Sequence, residues 1–136
     1  MENSMEVIKN HAIKSLDKIN NIGIQMSPYD SDSETSLKVL SFWRAEQFKN
    51  GKHKDIIIEL NDNNYNAHIT RQNTKQQKGN NLRLIWTNGG LYKEISKKFS
   101  NIYHIMCFTK TESGIRYKLE IVSDDEMRQK LSAINT

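Results

Sequence analysis

Apolar and polar positions alternate most regularly over residues 115–122, where Ile115, Tyr117, Leu119 and Ile121 interleave with Arg116, Lys118 and Glu120. That period of two predicts a strand with one buried and one wet face. The apolar run 102–110 precedes it, and Thr111-Glu-Ser-Gly114 joins the two as a hairpin. A second hairpin is predicted from residues 55–60 and 65–70. They flank Asn61-Asp-Asn-Asn64, whose short side chains bond their own backbone and tolerate positive φ. Leu82-Arg-Leu-Ile-Trp86 reads as a further strand. Between it and the hairpin lie residues 71–81, eleven positions without one apolar side chain. A loop that resists burial, set between strands that require it, is a natural place for function.

Other stretches carry the helical period. Ile8, Ala12, Leu16 and Ile19 recur at three- and four-residue steps, which predicts an amphipathic helix over 6–20, capped by Ser4, with its stripe packed on the core. Residues 26–35 contain the one proline and are acidic and serine-rich, the composition of a solvated loop. Ser33 or Thr35 then caps a second helix bearing Leu37, Leu40, Phe42, Trp43 and Phe48, which Asn50-Gly51 ends. Thr87-Asn-Gly-Gly90 is a turn, residues 91–99 form a short helix, and the capping box Ser123-Asp-Asp-Glu126 opens a closing helix over 124–133. Strands joined by hairpins predict an α+β fold: an open antiparallel β-barrel with flanking N-terminal helices, a short middle helix and a C-terminal helix. The expected organisation is one domain, 1–136. It comprises a helical N-terminal segment over residues 1–50 with the acidic loop 26–35, a β-rich core 51–122 and a terminal helix 123–136.

Composition narrows the picture. A chain of 136 residues, 36% hydrophobic and 26% charged with mean hydropathy −0.74, supports one modest core and is not a disordered chain. No apolar run approaches the roughly 18 residues of a bilayer span, and Met1-Glu-Asn-Ser-Met-Glu6 lacks the basic and apolar segments of a secretory signal. The expected location is the cytoplasm, with no membrane partner. A single cysteine, Cys107, offers no internal disulfide and reads as a buried structural thiol. The net charge of +4 is uneven: residues 51–120 hold twelve Lys/Arg against six Asp/Glu, while the segments on either side are each acidic by one. A basic β-rich middle suits a phosphate-bearing partner, and equally suits a sheet kept soluble by lysine.

The search for catalytic chemistry finds little. His11, His53, His68 and His104 lack metal-ligand spacing, and there is no phosphate loop or serine elbow. A nuclease core would require Asp/Glu, one residue, then Lys on the strand after Asp55 and Glu59, and neither following strand has it. The expectation is therefore a non-enzymatic protein without metal or cofactor. Binding has more support. Arg71, Gln72, Asn73 and Gln76 carry the donors and acceptors that match base edges. Lys52, Lys54, Lys75 and Lys78 are placed to reach phosphates, and Thr74, Arg83 and Asn88 complete the candidate DNA-contacting set. Two rival readings stay open: a protein-binding module of immunity or inhibitor type using the sheet face, and a small metal-dependent nuclease.

The order of elements resembles the B3-like DNA-binding pseudobarrel, found in plant transcription factors and as the recognition module of prokaryotic restriction endonucleases. The resemblance spans residues 42–122 and rests on element order, the run Arg71-Gln-Asn and the later Leu82-Arg-Leu-Ile-Trp86. It implies an open barrel that lays two arms into the major groove of double-stranded DNA. The first arm would be 71–81, and the second either Thr87-Asn88 or 111–114. It also implies a place in a restriction or phage-defence system, beside a separate nuclease or translocase subunit or domain.

Overall fold

A computed structural model describes residues 6–8, 11–16, 22–26, 33–49, 51–72, 81–87, 89–97, 103–111 and 114–134. Along the chain these form β1 (Glu6–Ile8), β2 (His11–Ser15), β3 (Gly23–Gln25), α1 (Ser33–Phe42), β4 (His53–Leu60), β5 (Asn63–Gln72), β6 (Asn81–Trp86), α2 (Gly89–Ser96), β7 (Tyr103–Thr109), β8 (Arg116–Ser123) and α3 (Asp124–Ile134). A single 3-10 turn, Ala45–Gln47, lies between α1 and β4.

The eight strands make one sheet in the order β1-β2-β7-β8-β4-β5-β6-β3, strongly curled into a half-barrel. The predicted hairpin forms with a shorter turn than expected: β4 and β5 turn at Asn61-Asp62, both with positive φ (52° and 66°), the geometry of a two-residue turn suited to the strand twist, while Asn63 and Asn64 pair within β5 and shift the register. The β7–β8 hairpin also forms as expected. The sheet is nonetheless mixed and not antiparallel throughout, because β8 docks beside β4 in the same direction, with Ile58 opposite Tyr117. A hairpin turn dictates antiparallel pairing within each hairpin, whereas the joining of two hairpins is settled by how they pack.

The predicted first helix is corrected. Its described residues form the hairpin β1–β2, with Val7 opposite Ala12, and β2 then pairs with β7. Residues 12 and 16 share one parity, so a four-residue step satisfies a strand's period as well as a helix's, and the turn between β1 and β2 breaks the count from Ile8, which lies opposite His11. Burial on both faces hides the alternation: Ala12 and Leu16 enter the main core while Ile13 joins a second cluster. Residues 17–20 lie outside the described residues. The second helix starts as expected but ends at Phe42, well before Gly51, since Arg44 takes a left-handed conformation (φ 59°) and the chain turns. The middle helix ends at Ser96, earlier than its predicted limit.

Inside the curl, Ile56, Ile58, Ile69, Leu82, Leu84 and Leu119 meet Val39 and Leu40 of α1 and Leu91 and Ile95 of α2. Trp43 stands among them, with its ring centroid 4.6 Å from Tyr117 and 4.9 Å from Phe42. Cys107 is buried in this core as expected, and burial pushes its thiol pKa up. Across the open mouth, buried Lys14 of β2 donates its ammonium to the Gln25 carbonyl of β3 at 2.6 Å, tying the two ends of the sheet together. On the outer side α3 packs Met127 and Leu131 against Ile13, Met106 and Val122. Its predicted capping box is present: Ser123 Oγ accepts from the Glu126 amide, and the Ser123 amide donates to Glu126 Oε1, both at 3.3 Å.

Strand β3 holds its place through Gly23, where an added Cβ would lie 2.0 Å from the Leu84 carbonyl oxygen. Gly23→Ala is therefore expected to push β3 off β6 and cost about 2 kcal/mol, within the range of severe single-site effects. Urea unfolding checks this, with Gly51→Ala as a contrast, since no atom lies within 4 Å of the Cβ added there and only its φ of +84° resists substitution. No helix among the described residues is long and apolar enough to cross a membrane.

Candidate nucleic-acid interface

Strands β3 to β6 leave their outer face uncovered by any described helix, and the side chains on it follow from alternation. Ile56, Ile58 and Leu60 enter the core, so His53, Asp55, Ile57 and Glu59 take the opposite face of β4. The register extends that face across four strands. His53 lies opposite Thr70, Thr70 opposite Arg83 and Arg83 opposite Gln25. One step along, Asp55, His68, Ile85 and Gly23 form the adjacent row. Cross-strand neighbours stand roughly 5 Å apart, so each row is a continuous line of side chains.

At the crossing of these rows, the rings of His53 and His68 lie 5.3 Å apart. His53 Nε2 is 3.8 Å from Asp55 Oδ1, and His68 Nδ1 is 3.4 Å from Thr87 Oγ1. Burial, and secondly the neighbouring His53, lower the pKa of His68; Asp55 opposes them. The hydroxyl of Thr70 is buried and has no hydrogen-bond partner among the described residues. Beside Arg83 a shallow groove of about 120 Å³ runs along β3, lined by Ile22, Gly23, Gln25 and Ile85.

The residues singled out from the sequence divide. Asn73, Thr74, Lys75, Gln76, Lys78 and Asn88 lie outside the described residues. Gln72 is the last residue of β5 and pairs with Asn81, so the polar segment 73–80 joins two strands still in register. Arg83 is exposed and belongs to the His53–Thr70 row; Lys52 is exposed just before β4. Lys54 instead lies on the opposite face from His53, with a pKa lowered by burial and then by Arg44, and raised to a lesser extent by Glu46. Arg71 also turns inward: its guanidinium donates to the carbonyls of Ala45 and Phe48, both at 3.2 Å, and so holds the 3-10 turn against β5.

No family model, curated protein or solved structure matches the chain. What the interface does is therefore argued from its own chemistry.

That chemistry includes pairings that the sequence alone did not suggest. His53 and His68 are fifteen positions apart in the sequence, yet the two-residue turn at Asn61-Asp62 places them diagonally across one hairpin. The turn residues between them were the signal available, though they do not fix the register. The carboxylates of the nuclease alternative, Asp55 and Glu59, share a strand face but stand four residues apart, about 13 Å along an extended chain, too far for one metal. Glu59 faces Lys110 at 3.8 Å. His104 pairs with Asp124 at the start of α3, on the covered side of the sheet.

Proposed function

We propose that this chain is a non-catalytic module that binds double-stranded DNA with preference for a sequence or modification, its half-barrel serving as a pseudobarrel of the B3-like kind in a restriction or phage-defence system. One observation carries the reading. The β5–β6 ribbon runs out in register to Gln72 and Asn81, and its connecting segment 73–80, polar throughout, leaves the sheet at the end where Lys52, Thr70 and Arg83 stand. The major groove of B-DNA admits a two-stranded ribbon, whose tip meets base edges while flanking cations meet phosphates. Arg71 is held by backbone carbonyls, so base contact falls to Gln72, Asn73 and Gln76, with Thr74 beside them. Lys75, Lys78, Lys52 and Arg83 serve the phosphates. A nuclease or translocase would act from a separate subunit or domain.

The test is a fluorescence-anisotropy titration against a randomised duplex pool at low and physiological salt, with the bound fraction sequenced. Salt-sensitive binding with an enriched motif is expected. Gln76→Ala should lose about 1–3 kcal/mol of discrimination at the preferred site. Lys75→Ala should weaken every duplex alike and flatten the salt slope by about one. Absence of binding at both salts would remove this reading in favour of a protein partner on the sheet face.

A further inference from the structure

The uncovered sheet face offers a second contact, distinct from the 73–80 segment. We propose that His53, His68, Thr70 and Arg83 form a proton-linked phosphodiester site, in which one backbone phosphate of a bound duplex sits over β4, β5 and β6 and the histidine pair takes up a proton as it binds. The inference rests on the DNA reading above and adds a particular ligand group and a regulation to it.

Three features support the ligand. Thr70 lies between His53 and Arg83 in one cross-strand row, so a hydroxyl, an imidazole and a guanidinium, all donors to an oxyanion, are side by side. The Thr70 hydroxyl lacks a partner among the described residues, an unmet hydrogen-bonding group that a phosphate oxygen would satisfy. The row also lies at the sheet end from which the 73–80 segment leaves, the distance scale on which a protein contacts neighbouring phosphates of one duplex.

Proton linkage follows from the pair's surroundings. Burial disfavours charge on His68 first, and the His53 ring, 5.3 Å away, opposes it second. Without a ligand these surroundings favour the neutral form of His68. The charged groups facing the pair are Asp55 on β4 and Arg83 on β6. β3 contributes neutral Gln25, β5 adds Asn66 and Thr70, and Thr87 follows β6; β8 meets β4 only from Ile57 onward. Asp55 supplies one negative charge, on a side chain 87% exposed, so solvent screens it heavily. A phosphate over the row would add a second negative charge and favour a proton on His68. Binding should therefore tighten as pH falls through the histidine range.

The experiment is a duplex titration by anisotropy from about pH 7.5 to about pH 5.5 at fixed salt, the interval over which histidine changes charge. The wild-type chain is compared with His53→Asn/His68→Asn and with His11→Asn, whose ring packs edge-on against Phe108 three strands away on β2. Affinity of the wild type and of His11→Asn should rise about tenfold over this interval, as a tenfold stronger hold on one proton in the complex gives, and by less than about threefold in the double variant. Titration calorimetry in two buffers of different ionisation heat should show proton uptake in the first two proteins and its loss in the third. Thermal melts verify folding, and the single variants His53→Gln and His68→Gln give the same comparison if the double variant melts early. DNA binding whose pH response is the same in all variants would overturn the phosphodiester site and leave the DNA reading standing. Absence of binding at every pH would overturn both.

Discussion

Trp43→Ala is expected to cost about 3–5 kcal/mol of stability, the usual toll of emptying a fully buried aromatic site. The side chain is 0% exposed and contacts Phe42 edge-on and Tyr117 at a tilt of 42°. Tyr117 also donates its hydroxyl to the Phe42 carbonyl at 3.3 Å. Three rings from α1, the following turn and β8 thus close the half-barrel from within, and removing the middle one leaves a cavity its neighbours have no room to fill. The melting temperature should fall by roughly 10–20 °C. Trp43→Phe should cost less than half as much. It keeps one ring, and it removes an indole N–H that has no hydrogen-bond partner among the described residues, a group whose burial itself costs about 1–3 kcal/mol. Urea unfolding with an unchanged slope is the measurement, and a loss below about 1 kcal/mol for Trp43→Ala would show that the aromatic cluster is not the centre of the core.

Arg71→Ala is expected to lower stability by about 2–3 kcal/mol, since it deletes charge-assisted bonds to two partly buried carbonyls. The 3-10 turn and β5 would lose their side-chain link, and the Gly51 and Arg71 backbone bonds at the start of β4 would bear the strain. Any accompanying loss of DNA affinity should then be equal for preferred and random duplexes. Arg71→Lys should recover some of the stability, limited by the single ammonium's poorer fit to two diverging acceptors. An unchanged melting temperature together with relaxed sequence preference would instead make Arg71 a reader of bases, the role its place in the sequence suggests.

Arg71 shows where reading the chain as a string succeeds and where it stops. Its residue type and its position beside a polar segment are those of a guanine reader, and nothing local reveals that Ala45 and Phe48, more than twenty residues away, present carbonyls to it. Lys54 is similar: its residue type and place in a basic run made it a phosphate contact, while alternation along β4 turns it to the face opposite His53. The His53–His68 pair was hidden by a smaller error, since a four-residue turn at 61–64 sets His68 opposite Ile57 and only the two-residue turn brings the rings together.

What the sequence determined by itself is what short-range chemistry decides. The turn-forming residues 61–64 mark a hairpin between β4 and β5 though not its register, Ser123 and Glu126 start α3, and alternation of period two marks β8. Each depends on atoms within a few residues, so local composition suffices. Only the tertiary structure decided that residues 6–8 and 11–15 are strands, that β8 runs parallel to β4 and that Lys14 spans the mouth of the curl. In those cases two local conformations or pairings were comparably satisfied by the pattern, and the choice fell to burial and hydrogen bonding with partners remote in the chain.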